Sequence, residues 1–162
     1  SFRPADGRAW DPSPELVQAF RATPRHLFVH RFKVPGLEQT FVLRRRRPSR
    51  EALRLAYGNT VLTHLNAAGE ALPSTNSEPA FILFLVDLLG LRPGQRVLEV
   101  GSGGGWLVAL MSRLVGASGA VTGIEIIKLP RSANSAYFTE LPNQTTTSPP
   151  CFSRRRRASS RA

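Results

Sequence analysis

VLEVGSGGGWLVALMSRLVGASGAVTGIE, residues 97–125, is the stretch that decides the fold. Val97 to Val100 is a short, β-branched apolar run suited to a strand buried in a parallel sheet. Gly101, Gly103, Gly104 and Gly105 follow, interrupted only by Ser102. Leu107, Leu110, Met111, Leu114 and Val115 then recur at the spacing of one apolar helix face, and Gly116 supplies the stop. Ala120 to Ile124 reads as a second strand with Glu125 at its tip. A strand–helix–strand unit of this length crosses over right-handed and sets its two strands parallel, which makes the chain α/β.

Glycines let such a loop turn sharply and let a ligand approach the backbone. The free N–H groups at the helix start, backed by the helix dipole, favour an anionic group. An acid at the tip of the next strand is placed to accept from ribose hydroxyls, so the unit is built for a nucleoside-containing ligand. Three common glycine motifs are excluded. The dinucleotide fingerprint counted from Gly101 needs glycine at Trp106, and no Gly-Lys-Ser/Thr follows for a phosphate loop. A hydrolase elbow around Ser102 needs glycine at Val100. What remains, Glu99-x-Gly101-x-Gly103-x-Gly105, resembles motif I of the S-adenosylmethionine-dependent methyltransferases.

Upstream, Arg92-Pro93-Gly94-Gln95 has the proline and glycine positions of a type II turn. Phe81 to Leu89 reads as a core helix, capped by Ser77 or Glu78, begun at Pro79 and ended by Gly90. It is about half the ~20 residues of a membrane span and contains Asp87. Val61 to Leu65 is a candidate strand, Asn66 to Glu70 a turn or loop, and Glu51 to Tyr57 a brief helix closed by Gly58-Asn59. Nearer the start, Ser13 and Pro14 offer a helix cap and first position, and the helix ends before Pro24.

Together these residues resemble a family, the protein-L-isoaspartate O-methyltransferases, over residues of about 14 to 127. The matching elements are Pro24-Arg25-His26-Leu27-Phe28-Val29, Ala56-Tyr57, Thr75-x-Ser77-x-Pro79, Leu91-x-Pro93-Gly94-x-Arg96-Val97-Leu98-Glu99-Val100-Gly101-Ser102-Gly103, and Val121-x-Gly123-Ile124-Glu125. The resemblance implies a Rossmann-like methyltransferase fold, present here as its N-terminal half and truncated after the second core strand. It implies a monomeric, cytoplasmic enzyme that uses S-adenosylmethionine to methylate isoaspartyl carboxylates, the first step of protein repair. Carried over, Gly101, Ser102, Gly103 and Gly105 line the cofactor, Glu99 lies near its methionine end, and Glu125 holds the ribose. Ser77 sits beside the acceptor carboxylate; its other reading is a plain helix cap. The segment from Asn59 to Pro79 departs from the repair enzymes, and its Leu65–Glu70 insert looks more like relatives that methylate ribosomally made peptides. An aspartyl carboxylate has a reference pKa of about 3.9, so methyl transfer needs no His–Asp pair.

The expected organisation is a small helical, substrate-side region over 1–74, the start of the cofactor domain over 75–127, and a tail over 128–162. The net charge is +11, and six of those excess charges fall in the tail, which holds seven Lys/Arg against one Glu. Its Ser, Thr, Pro and Arg content, with apolar periodicity lost after Ile127, predicts disorder and suggests a reading-frame error or a spliced-on end. On that reading the chain is an incomplete, inactive methyltransferase. Ser1 in place of methionine suggests a processed or shortened terminus. Arg44–Arg47 and Arg154–Arg157 keep a second class open, a basic nucleic-acid-binding protein. His26, His30 and His64 have no metal spacing and read as packing or surface residues, so no metal is expected. Cys151 alone permits no internal disulfide.

Overall fold

A computed structural model describes residues 10–44, 47–127, 139–140 and 145–148. Pro14 opens α1 (Pro14–Ala22), which closes at Thr23, the residue before Pro24. A 3-10 turn (Arg25–Leu27), β1 (Arg31–Lys33), β2 (Phe41–Val42), α2 (Arg50–Tyr57), β3 (Leu62–Leu65), β4 (Ala71–Asn76) and α3 (Pro79–Leu88) follow. Then come β5 (Arg96–Val100), α4 (Trp106–Val115), β6 (Ala120–Ile124), β7 (Thr139–Glu140) and β8 (Thr145–Ser148).

The N-terminal region is not mainly helical. It is built on an antiparallel sheet of order β2-β1-β3-β4, and β4 runs across the expected boundary at residues 74 and 75. β3 matches the candidate strand at 61–65, whereas β1 and β2, of three and two residues, are too short to show an alternating pattern in the sequence. Phe32, Phe41 and Leu62 bury one face of this sheet against Ala52 and Ala56 of α2, with Phe32 and Phe41 stacked at 5.5 Å. Ser49 caps α2 by accepting from the Ala52 N–H at 3.1 Å. The Leu65–Glu70 insert is the β3–β4 hairpin connection. Asn66 clamps it, donating to Glu70 Oε2 at 2.7 Å and accepting from the Glu70 N–H at 3.0 Å.

The second sheet has the order β5-β6-β8-β7, with β5 and β6 parallel and paired from Arg96↔Ala120 to Val100↔Ile124. Gly94 takes the positive φ of +87° that the type II turn before β5 requires. α4 buries more than the single stripe its sequence suggests: Val108 and Ala109 are inside with Leu110, Met111 and Val115, while Leu107 and Leu114 are half-buried. The reason is that α4 is packed on two sides, by β6 and by α1, whose Leu16 and Ala19 join its core. Trp10 Nε1 and Ser13 Oγ both donate to Asp87, at 2.9 and 2.7 Å, tying the start of α1 to α3. Ser13 therefore spends its hydroxyl on α3 and not on capping its own helix.

Three expectations need correction. α3 is not a core helix: only Pro79 and Val86 are buried, whereas Leu85, Leu88 and Leu89 are exposed. β5 is not buried on both faces, because nothing among the described residues covers the face that Leu98 and Val100 share; they are 59 % and 78 % exposed. The tail is not wholly without order, since β8 pairs antiparallel with β6 from Val121↔Ser148 to Ile124↔Thr145, and β7 pairs with β8. The open edge of β6 offers unpaired N–H and C=O groups, and the β-branched run Thr145-Thr146-Thr147 has the chemistry to take them. Arg45, Arg46, Cys151 and Arg154–Arg157 lie outside the described residues. Among the described residues no helix is long and apolar enough to cross a membrane.

Candidate functional site

The carboxyl ends of β5 and β6 lie side by side, where a parallel α/β sheet binds its ligands. Their register carries the chain from Glu99 and Val100 straight into the glycine loop, which is stitched to β6: Gly101 and Ser102 N–H groups donate to the Ile124 carbonyl at 2.7 and 3.1 Å. Gly101, Gly103 and Gly105 have φ values of +79°, +53° and +79°, and Gly105 caps α4 in the left-handed conformation. A Cβ on Gly101 would meet no atom within 4 Å, so the loop is open there.

Glu125 folds back over this loop. Its Oε2 accepts from the Gly103 N–H at 2.7 Å and its Oε1 from the Ile127 N–H at 2.8 Å. Two of the roughly four acceptor positions of the carboxylate are therefore used, and the others stay available. Glu99, one strand away, is the contrasting acid. Its Oε2 is buried with no hydrogen-bond partner among the described residues. Burial first, and then the charge of Glu125, push its carboxyl up to about 7. An orphaned carboxylate oxygen at the mouth of a glycine loop is a place for a cation to complete.

Ser102 stands apart from the other expected loop residues. It is buried, and its Cβ and Oγ pack where a side chain on Gly123 would be, at 2.8 and 2.9 Å, so its hydroxyl faces β6. Gly104, which the motif reading passes over, has a different task. A Cβ there would come 2.4 Å from the Phe28 carbonyl oxygen, so the segment after the 3-10 turn rests directly on the loop. Gly104→Ala is expected to destabilise the fold by about 1–3 kcal/mol through overpacking against rigid backbone. Urea unfolding measures it, and a change below about 0.5 kcal/mol would mean that this contact is not tight.

β4 reaches the same loop. A Cβ on Gly103 would lie 3.8 Å from Ser74 Oγ and 4.0 Å from the Thr75 carbonyl oxygen, and one on Gly104 would lie 3.8 Å from the ring of His64 on β3. Ser77 follows directly, half-buried. Its hydroxyl does not cap α3, whose N-cap is Glu78 without a side-chain bond. Asn59 does that work from a distance, accepting from the Ala80 N–H at 3.0 Å. The Ser77 carbonyl is instead held by Arg25, as are the carbonyl and the side-chain amide of Asn76. His64 is buried, and its Nε2 has no partner among the described residues; burial first, then the Arg25 charge, hold its imidazole below the usual range. Sequence reading named neither Arg25 nor His64 as site residues. Arg25 sits in the Pro24–Val29 motif and was legible as an element of a pattern, not as a partner of Ser77. His64 carries no motif. Among the described residues no group of His, Cys, Asp and Glu is arranged to hold a metal.

The profile of the protein-L-isoaspartate(D-aspartate) O-methyltransferase family matches residues 9–137. The chain is 33% identical over 116 residues to protein-L-isoaspartate O-methyltransferase 2 of Archaeoglobus fulgidus, covering 71% of this chain and 41% of that protein. It is 34% identical over 115 residues to the protein-L-isoaspartate O-methyltransferase of Methanothrix thermoacetophila, covering 71% and 43%. A solved protein-L-isoaspartate O-methyltransferase structure superposes with a TM-score of 0.53 at 29% identity, over 72% of this chain and 30% of that one. The chain thus spans less than half the length of these relatives.

Proposed function

The chain belongs to the protein-L-isoaspartate(D-aspartate) O-methyltransferase family, and on that premise we propose that it binds S-adenosylmethionine and directs methyl transfer to isoaspartyl carboxylates of proteins or peptides. The observation that carries the reading is the pair of acids at the ends of β5 and β6. Glu125 closes on Gly103 with acceptor positions to spare for ribose hydroxyls, and Glu99 presents an unpartnered oxygen suited to an α-ammonium group. The open space at Gly101 lets the ligand lie against the loop. Bound there, the cofactor supplies an electrophilic methyl group on a sulfonium.

The chain's own residues then have three tasks. Gly101, Gly103 and Gly105 shape the loop, Glu99 and Glu125 fix the two ends of the ligand, and Ser77 donates its unspent hydroxyl to the acceptor carboxylate. No general base is required, because an acceptor with a pKa of about 3.9 is ionised at neutral pH and needs orientation and exclusion of water. The β3–β4 hairpin is where the sequence leaves the repair-enzyme pattern and looks more like relatives that methylate ribosomally made peptides. Transfer of labelled methyl to an isoaspartyl hexapeptide tests the proposal, with the aspartyl isomer as control. A base-labile methyl ester on the isoaspartyl peptide alone is expected, with kcat/KM about tenfold lower for Ser77→Ala. Equal labelling of both peptides, or of neither, would contradict it.

A further inference from the structure

Among the described residues Arg25 is the largest fully buried side chain, at 0 % exposure. Its guanidinium makes four hydrogen bonds: Nε to Asn76 Oδ1 at 3.0 Å, one terminal nitrogen to the Ala56 carbonyl at 2.6 Å, and the other to the Asn76 and Ser77 carbonyls at 2.9 and 2.8 Å. None goes to a carboxylate. The same group lies 5.5 Å over the ring of Trp106, the first residue of α4, and Trp106 Nε1 donates to the Thr23 carbonyl at 3.0 Å. One planar fork thus joins the 3-10 turn, α2, the end of β4 and the head of the glycine-loop helix, a geometry that lysine cannot reproduce.

A buried cation with no counter-ion among the described residues carries a desolvation cost that a neutral side chain of the same size would avoid. What the charge adds is its field. That field reaches His64, beside Gly104, and Tyr57. His64 feels Arg25 and Glu125 with opposite sign. The site is therefore polarised: positive behind Asn76 and Ser77, negative at Glu99 and Glu125. We propose that Arg25 is the positioning residue of the acceptor side, holding Ser77 in place and supplying the unneutralised positive charge toward which the acceptor carboxylate docks. This rests on the carboxyl-methyltransferase reading, in which the acceptor is an anion that must be drawn to the site and oriented there.

Asn76→Asp tests it. The substitution puts a carboxylate on the atom that Arg25 Nε already bonds, so it cancels the charge while keeping the contact. Binding of an isoaspartyl hexapeptide and of its side-chain amide analogue is measured by calorimetry in the presence of S-adenosylhomocysteine, with S-adenosylmethionine binding measured alongside. The unmutated chain is expected to prefer the acid peptide by at least about tenfold, and Asn76→Asp to reduce that preference to under about threefold, with the thermal transition unchanged or raised. Arg25→Lys, which keeps the charge and loses the fork, should retain the acid preference while lowering stability. A preference unchanged in Asn76→Asp, or a fold lost on that substitution, overturns the inference. So does a chain that binds S-adenosylmethionine but does not distinguish the two peptides, and in that case cofactor binding still stands. A chain that binds neither cofactor nor peptide overturns both.

Discussion

Arg25→Met should destabilise the fold by on the order of 3–5 kcal/mol, a large part of the 5–15 kcal/mol that holds a typical domain together. Methionine matches the volume and removes the cost of burying a cation, which offsets part of the loss. It leaves the Ala56, Asn76 and Ser77 carbonyls and the Asn76 amide oxygen without the donor each has now. A buried acceptor stripped of its donor costs about 1–3 kcal/mol, and four such losses exceed the relief. Burial lowers the Arg25 pKa only to about 10, so the group is charged across the range in which the protein would be studied. Urea unfolding at unchanged m-value measures the effect. A loss below about 1 kcal/mol would show that water or local relaxation satisfies these carbonyls and that Arg25 does not join the segments.

Glu99→Gln should move stability and ligand binding in opposite directions. The Glu99 carboxyl in the folded chain sits near 7, above its ordinary value of 4.5, because of burial first and Glu125 second. A raised folded value means that the protonated form favours the native state. That contribution is complete below about 4.5 and is lost as the pH climbs through about 7. At pH 8 the native chain carries an ionised, unpartnered carboxylate, and glutamine removes it. Glu99→Gln is therefore expected to stabilise the fold at pH 8 by on the order of 1–3 kcal/mol and to be close to neutral near pH 4. The same substitution removes the charge that would pair with the cofactor's ammonium, a charge-assisted bond of roughly 1.5–3 kcal/mol, so affinity should fall at least about tenfold. In the unmutated chain affinity should weaken as the pH falls below about 7, where a proton competes for the carboxylate, and Glu99→Gln should flatten that dependence. Thermal melts and calorimetry at pH 4, 7 and 8 give all these quantities. Loss of stability at pH 8 would place a hidden partner on Glu99.

How much of this was legible in the sequence follows from the range of the interactions. The glycine loop, α4, β6 and the acid at its tip are set by residues within thirty positions of one another, and local pattern carried them. The turn at Arg92–Gln95 and the helix starts at Pro14 and Pro79 were readable for the same reason, since proline and glycine restrict their own backbone. Long-range contacts were not readable. Asn59 caps α3 from 21 positions upstream of Ala80, Arg25 holds Asn76 from 51 away, and Trp106 reaches the Thr23 carbonyl across 83. The apolar composition of α3 and β5 suggested burial, but composition does not say whether a neighbour is present to cover a face. In the N-terminal sheet the run at 61–65 was readable as β3, whereas β1 and β2 are too short for periodicity. In the candidate site the pattern located the acids and glycines; it did not show that Ser102 turns inward or that Gly104 serves packing.

The most direct measurement is calorimetric titration of S-adenosylmethionine into the unmutated chain and into Glu125→Gln. The Glu125 carboxylate, bonded to Gly103 at 2.7 Å, joins strand and loop and is the group proposed to hold the ribose. Glutamine keeps its shape and one acceptor but removes the charge that strengthens bonds to ribose hydroxyls, so the unmutated chain should bind and Glu125→Gln should bind at least about tenfold more weakly. No binding heat from the unmutated chain, or equal affinity in both, would contradict the assignment of this loop to S-adenosylmethionine.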